Sequence, residues 1–394
     1  MSKERAALAR AKRVVVKIGS RSLAADGDAP RALAEDIARL RSSDRAVLLV
    51  SSGAIAIGMK RLGYRTRPRE MAKLQAAAAA GQSVLMRRYD EAFGELGLTV
   101  AQVLLTHADL ADRERLNNAR EALAAQLEAG AIPIINENDT VATDEIRFGD
   151  NDQLASMVVP LVSADLLVLL TDVDGVLDPR GRRISTMTAE SAIGRVATSG
   201  DKVGSGGMSS KLDAAEKARR SGAAVVIASA KNTSVLSEIV HGKDVGTLFP
   251  CIGEPLRARK HWIAYTLRPR GALILDPGAV HAVAGGKSSL LPVGVLGVRG
   301  DFRAGDAVRL VDAQGTEVGR GLTRLASAEV ARAAGLKGRD LELASGTSDL
   351  VVVHGVRQRE ELAYAETFAR LQQQARAQGR PARLQLLRCV TRDA

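Results

Sequence analysis

From residue 14 onward the chain repeats one unit, a short run of Val, Ile, Leu and Ala that ends in small or polar residues and leads into an Ala-rich stretch. The runs fall at 14–16, 46–50, 99–105, 131–135, 166–170 and 223–228. A strand with one wet face alternates apolar and polar side chains. One without that alternation is apolar on both faces and must be covered on both. Such strands interleaved with helices predict an α/β fold, an αβα sandwich around a mostly parallel sheet. Past about residue 260 the long helices stop. Strand signals at 271–275, 294–298, 307–311, 317–321 and 350–354 are then separated by turns such as Arg299-Gly300-Asp301 and Ala304-Gly305-Asp306, the pattern of a small β-barrel. The expected division is a basic N-terminal extension at 1–13, an α/β domain at 14–262, a β domain at 270–356 and a basic tail at 357–394. That tail is expected to be helical over about 360–378 and frayed after Gly379-Arg380-Pro381.

A net charge of +11 suggests a nucleic-acid or membrane partner until its location is considered. Residues 1–13 carry five basic and one acidic side chain and residues 367–394 carry six and one, which leaves +2 for the 353 residues between them. Across 261–366, 13 basic residues meet 12 acidic ones and aromatics are few, which argues against RNA binding by the β domain. No uncharged run reaches the 18 or so residues of a spanning helix, and the N-terminus has no apolar signal core, so neither membrane insertion nor export is expected. Two cysteines, Cys251 and Cys389, make neither a disulfide framework nor a metal cluster, and a cytoplasmic setting is expected.

In open parallel sheets, ligands bind beyond the carboxyl ends of the strands. Four of those ends carry chemistry: Lys17-Ile18-Gly19-Ser20, Ser51-Ser52-Gly53-Ala54, Asn136-Glu137-Asn138-Asp139 and Thr171-Asp172-Val173-Asp174-Gly175. A lysine at the tip of a Val-Val-Val-Lys-Ile strand is costly unless it is paired. The glycine turn Gly204-Ser205-Gly206-Gly207-Met208 opens a helix bearing Lys211, and glycine backbone N–H groups at such a place can approach phosphate oxygens. Lys17 and Lys211 could therefore bracket a phosphoryl group. Gly286-Lys287-Ser288 ends like a P-loop, but His281 stands where its first glycine must be, so it reads as a turn. Phe148-Gly149-Asp150-Asn151-Asp152 gathers two carboxylates and an amide near Asp139 and Asp144, able to hold Mg²⁺, orient lysines or act as a base. One of the three also caps the helix expected from about Gln153.

The segments at 17–20, 51–58, 136–143, 149–152, 171–172 and 206–211 resemble the glutamate 5-kinases of the amino acid kinase superfamily. The likeness runs from about residue 13 to 356, takes in 104–118, and includes a C-terminal region similar to a PUA domain. Asn136-Glu137-Asn138-Asp139 followed by Gly149-Asp150-Asn151-Asp152 separates this group from uridylate, carbamate and aspartate kinases. The resemblance implies ATP-dependent phosphorylation of the γ-carboxylate of L-glutamate to L-glutamyl 5-phosphate, the first step of proline biosynthesis. It implies that Lys17 and Lys211 stabilise the transferring phosphoryl group, that Asp152 orients them, and that Ser52, Asp139 and Asn151 hold glutamate. Charge logic gives Asp139 the α-ammonium, because facing a substrate carboxylate would repel it. The nucleotide is expected against Lys17, Gly19, Thr171, Asp172, Ser205, Gly206, Gly207, Met208, Ser209, Ser210 and Lys211. Ser205 and Ser210 stand where many members have Thr. Mg²⁺ would arrive with ATP, with Asp150 acting on it through water. A homodimer or homotetramer, proline as feedback inhibitor, and transient contact with the glutamate-5-semialdehyde dehydrogenase that consumes the labile product are implied in the same way. Two other readings stay open: a kinase of another amino acid or acetylated amino acid, and a PUA-mediated RNA-associated or regulatory protein.

Overall fold

β1 (Arg13–Ile18) lies at the middle of a seven-stranded sheet because both of its faces are covered. Val14, Val16 and Ile18 pack into one apolar core and Val15 into another, the period-2 alternation of a strand between two helical layers. The computed structural model describes residues 2–20, 23, 29–142, 151–187, 207–252, 262–284, 289–290, 292–323, 325–336, 351–355 and 385–391. The other strands of this sheet are β2 (Ala46–Ser51), β3 (Val100–Leu105), β4 (Ile132–Glu137), β5 (Leu166–Thr171), β6 (Ala224–Ser229) and β7 (Thr247–Phe249), in the order β3-β4-β2-β1-β5-β6-β7. All neighbours are parallel except β7, which runs antiparallel to β6. The αβα sandwich expected from the sequence is present, with β7 as a strand too short to announce itself.

The helices of this unit are α1 (Lys3–Ala7), α2 (Ala29–Arg41), α3 (Ala54–Arg61), α4 (Met71–Gly94), α5 (His107–Ala111), α6 (Arg113–Glu128), α7 (Asn151–Leu161), α8 (Met208–Arg220) and α9 (Val235–Val240). Helices α2, α4 and α9 supply the core that holds Val14 and Val16. Helices α5 to α8 supply the one that holds Val15, so Lys17, two residues on, points to the α7 and α8 side. Each fully buried Val or Leu contributes about 1.5–3 kcal/mol by leaving water, so the central strands carry much of the unit's stability. Asp36 of α2 is buried at the start of α9, where it accepts hydrogen bonds from the backbone N–H groups of Leu236 (2.7 Å) and Ser237 (3.2 Å) and so caps that helix from a neighbouring one.

The N-terminal residues depart from the expected basic extension. Arg5 is buried, with its guanidinium donating to the carbonyls of Lys243 and Val245 (both 2.9 Å), Ser185 (2.7 Å) and Gly246 (3.0 Å) and pairing with Asp244 at 3.0 Å. Leu8 and Ala11 join the same core as β1. An arginine whose donors meet four carbonyls is a structural pin, not a solvated charge.

A second unit, residues 259–394, holds β8 (Gly271–Leu275), β9 (Ser289–Leu290), β10 (Val295–Arg299), β11 (Ala307–Val311), β12 (Glu317–Leu322), β13 (Val351–Gly355) and β14 (Gln385–Thr391), with helices α10 (Pro277–Ala284) and α11 (Ser327–Ala333). Their order is β10-β8-β11-β12-β14-β13-β9. The two outermost strands, β9 and β10, are joined by a short stretch of chain, at most about 18 Å from Leu290 to Val295. Laid flat, a seven-stranded sheet would hold its edges about 29 Å apart, so this one has to curl towards a barrel. The expectation of a frayed terminus is corrected by β14, which pairs with β12 antiparallel and with β13 parallel. The stretch expected to be helical, about 360–378, lies outside the described residues, as does Gly285-Gly286-Lys287.

Candidate active site

Strand order decides where this sheet binds. From β1 the chain steps to β2 and fills that side with β3 and β4, then crosses to the other side of β1 for β5 to β7. The carboxyl ends of β1, β2 and β5 flank the crevice opened by that reversal. Lys17 stands at its centre and is 6% exposed. Its Nζ lies 2.7 Å from Oδ1 of Asp152, in the first turn of α7, and Oδ2 of the same carboxylate accepts a hydrogen bond at 2.9 Å from Nζ of Lys211, in the first turn of α8. Asp152 is 2% exposed and Lys211 7%. One buried carboxylate thus holds two ammonium groups from segments far apart in sequence. The trio carries a net charge of +1 at a site with little water, where a positive excess attracts an anion strongly. A strand-edge or solvated role for either lysine is ruled out by this burial and pairing.

On the β2 and β4 side, Asn151 is the hub. Its Nδ2 lies 2.6 Å from the carbonyl of Ser51, 2.8 Å from Oγ of Ser52 and 2.9 Å from Oδ1 of Asn136. The Ser51 carbonyl can only accept, so the amide nitrogen must face it, and the Ser52 oxygen then accepts a hydrogen bond from Asn151 and keeps its own hydrogen to donate. Ser52 is thereby set up as a donor towards a ligand oxygen, with Asn151 acting through it. Asn136, at the end of β4, accepts from the N–H of Glu137 at 2.9 Å, and its own Nδ2 donates to Oε1 of Gln82 in α4 at 2.8 Å. The hydroxyl of Ser51 meets that of the fully buried Tyr89, also in α4, at 2.8 Å. Asp139 follows β4 and is half-buried. Burial pushes its carboxyl up to about 6, against the opposing pull of the Arg67 guanidinium.

On the β5 side, Thr171 ends its strand buried and its hydroxyl donates to Asp172 at 3.1 Å, while Asp172 faces solvent. Helix α8 starts after Gly207 with no side chain capping it, so the backbone N–H groups of Met208, Ser209 and Ser210 face outward at the positive end of the helix dipole. A Cβ at Gly19 would stand 3.8 Å from Nζ of Lys17, so any side chain there would extend into the approach to that ammonium. Gln153 ties α7 to α8, accepting from Nζ of Lys217. Asp150, Ser205 and Gly206 lie outside the described residues. Among the described residues no three His, Cys, Asp or Glu side chains gather as a metal site.

The sequence singled out Lys17, Lys211, Asp152, Ser52, Asn151 and Asp139 and placed Asn136 in a strand-end cluster without a role of its own, but left out Gln82 and Tyr89. A signal for the last two existed. Gln75, Gln82 and Tyr89 recur at seven-residue spacing on one face of α4, and each bonds a different segment: Gln75 donates to the carbonyl of Ala142 at 3.1 Å, Gln82 meets Asn136, and Tyr89 meets Ser51.

Residues 12–229 match the amino acid kinase family and residues 271–343 match the PUA domain. Glutamate 5-kinase of Cupriavidus taiwanensis is 48% identical over 335 residues, covering 82% of this chain and 90% of that protein. Glutamate 5-kinase of Chromohalobacter salexigens is 48% identical over 353 residues, covering 86% and 93%, and that of Burkholderia mallei 47% over 338 residues, covering 82% and 91%. No helix among the described residues is long and apolar enough to cross a membrane. With both domain matches and relatives alike over most of its length, the chain belongs to the amino acid kinase family, in the group of the glutamate 5-kinases.

Proposed function

We infer that this chain transfers the terminal phosphoryl group of ATP to the γ-carboxylate of L-glutamate, forming L-glutamyl 5-phosphate and ADP. The observation that carries the reading is the single carboxylate of Asp152 bridging Lys17 and Lys211 at the crevice of the sheet, in a chain whose relatives are glutamate 5-kinases. In the transfer an oxygen of the acceptor carboxylate bonds to phosphorus while the bond from phosphorus to the bridging oxygen of ADP breaks. The acceptor is already ionised at pH 7, so no general base is required. The difficulty is electrostatic, because two anions must meet. Lys17 and Lys211 offset charge on the transferred group, Asp152 keeps both ammoniums aimed there, and the N-terminus of α8 adds backbone donors beside them. Ser52, directed by Asn151, donates to a substrate carboxylate, and Asp139 receives the α-ammonium.

The direct test is ATP- and Mg²⁺-dependent hydroxamate formation with hydroxylamine as the trap. L-Glutamate should give a signal where aspartate, N-acetylglutamate and no acceptor do not. A folded, ATP-binding protein that forms hydroxamate with one of the other acids and not with glutamate would overturn the substrate.

Asp139 provides a pH test. Its carboxyl, raised to about 6 in the folded protein, loses its charge as pH falls through that value. An uncharged Asp139 attracts an ammonium less, so kcat/KM for glutamate should fall on the acid side with a midpoint near 6, while kcat at saturating glutamate holds to lower pH. Asp139→Asn should raise the glutamate KM by about 10-fold or more and abolish that acid limb. Stability should move the other way. A raised carboxyl pKa penalises the folded state progressively as pH rises from the unfolded value of about 4 through the folded value of about 6, so Asp139→Asn should stabilise the protein by about 1–3 kcal/mol at pH 8 and by little below pH 4, where both states are protonated. Thermal melts across that range check the sign.

The same reading includes Mg²⁺ arriving on ATP, a cytoplasmic setting, a homodimer or homotetramer, feedback inhibition by proline and transient handover of the labile acyl phosphate to glutamate-5-semialdehyde dehydrogenase. An acyl phosphate exposed to water hydrolyses, which favours short-lived contact with its consumer.

A further inference from the structure

The amide of Gln82 is oriented by a chain of hydrogen bonds whose polarity can be followed from fixed points. The carbonyl of Ser51 only accepts, which fixes the nitrogen of Asn151 towards it. The N–H of Glu137 only donates, which fixes the oxygen of Asn136 between it and Asn151. The nitrogen of Asn136 therefore faces Gln82 and must be met by the Gln82 oxygen, at 2.8 Å. Nothing in that chain can be flipped without opposing two donors or two acceptors. The Gln82 nitrogen is left on the far side of its amide, shielded from water and without a hydrogen-bond partner among the described residues. A shielded donor with no acceptor is costly, and such groups in folded proteins call for an explanation.

The sheet order says which ligand atom stands nearest. Phosphoryl transfer belongs to Lys17 at the end of β1, and Asn136 ends β4, two strands away, about 10 Å across the hydrogen-bonding direction. With the γ-carboxylate of the acceptor at β1, its α-carbon end extends towards β4, where Asp139 takes the ammonium. The oxygen acceptors left at that end are those of the α-carboxylate.

We propose that Gln82 is a specificity-determining residue whose Nε2 donates to the α-carboxylate of the amino-acid acceptor, held in that orientation by Asn136. This rests on the glutamate reading above and deepens it. The geometry of α4 supports it: Gln75, Gln82 and Tyr89 hold the segment after Asp139, the end of β4 and the end of β2, so one helix face underlies the whole acceptor side.

The test compares L-glutamate with its α-amide, which keeps the γ-carboxylate and the ammonium but replaces the α-carboxylate by a neutral group. Hydroxamate formation is measured with the unsubstituted chain, Gln82→Met and Gln82→Glu. The unsubstituted chain should favour glutamate over the α-amide in kcat/KM by about 10-fold or more, because a site built to donate to an anion loses that interaction with the amide. In Gln82→Met the preference should shrink to about threefold or less, through a raised KM for glutamate with the ATP KM unchanged. Gln82→Glu keeps an oxygen for Asn136 and is nearly the same shape, so it preserves the fold, yet it sets a carboxylate against a carboxylate. It should invert the preference in favour of the α-amide. A residue that merely supported the fold would weaken both acceptors equally, so a glutamate to α-amide ratio unchanged in Gln82→Glu would overturn the proposal alone. Turnover of neither acceptor by the unsubstituted, ATP-binding chain would overturn the glutamate reading, and the proposal with it.

Discussion

Replacing Asp152 by Asn is expected to lower kcat by about two to three orders of magnitude while leaving the glutamate KM within a fewfold of its original value. The shape of the side chain is kept and only its charge removed. What is lost is the anion that holds the ammoniums of Lys17 at 2.7 Å and Lys211 at 2.9 Å on one carboxyl group. Two buried cations without a counter-ion repel each other, and they will part or one will give up its proton. Either response spoils the pair that must offset charge in the transition state. Removing one partner of a buried ionic cluster typically costs about 3–5 kcal/mol, so the variant should also melt earlier. ATP offers a way to separate the two effects, since its phosphates supply the missing negative charge. It should therefore raise the melting temperature of Asp152→Asn more than that of the unsubstituted protein. Lys17→Ala and Lys211→Ala should likewise fall mainly in kcat, and Lys17→Ala combined with Asp152→Asn should lose less than the sum of the two, because the three groups act as one unit. A folded Asp152→Asn protein with undiminished kcat would end the argument for this trio.

Gly81→Ala should destabilise the kinase unit by about 3 kcal/mol or more, although Ala is the better helix former by about 1 kcal/mol in an open position. Helices α3 and α4 cross with their backbones nearly touching. A Cβ at Gly81 would lie 1.8 Å from the carbonyl oxygen of Ala54, and one at Gly58 would lie 1.7 Å from that of Ala77. Backbone atoms on rigid helices cannot swing aside as a side-chain tip does, so the helices must separate. Gly94, at the other end of α4, has nothing within 4 Å of its Cβ position and provides the control: Gly94→Ala should be neutral or slightly stabilising. The contrast is measurable by denaturant unfolding of each variant. Separation at the crossing also shifts Gln82 and Tyr89 relative to β4 and β2, so any Gly81→Ala protein that still folds should show a raised glutamate KM. Equal stability of Gly81→Ala and Gly94→Ala would mean that the crossing has slack.

The sheet was legible because burial on both faces writes itself as continuous Val, Ile and Leu, as at 14–16 and 166–170. The strand ends were legible because polar residues in fixed clusters beside such runs have few structural uses. β7 escaped because Thr247–Phe249 is only three residues long, and β14 because Gly379-Arg380-Pro381 and the scattered arginines after it resemble a solvated terminus. The burial of Arg5 could not be read locally, since the carbonyls that accept from it lie between 180 and 241 residues away in sequence. The seven-residue spacing of Gln82 and Tyr89 put them on one face of an Ala-rich helix but could not say what that face bonds. Their meaning depends on Asn136 and Ser51, which only the folded chain brings to them.

The order β3-β4-β2-β1-β5-β6-β7 has a consequence for inheritance. All of the acceptor side except Asn151, from Ser52 through Gln82 to Asp139, is encoded in one contiguous stretch, and Asn151 together with the nucleotide side, from Asp152 through Thr171 to Lys211, in the next. Only Lys17 and Gly19, on the shared central strand and just past it, precede both. A single recombination event between about 142 and 151 would therefore exchange the acceptor side together, apart from Asn151, which stays beside Asp152. A lineage built this way can acquire a new acceptor by shuffling or diversifying one segment of the gene while the phosphoryl-transfer half is passed on intact.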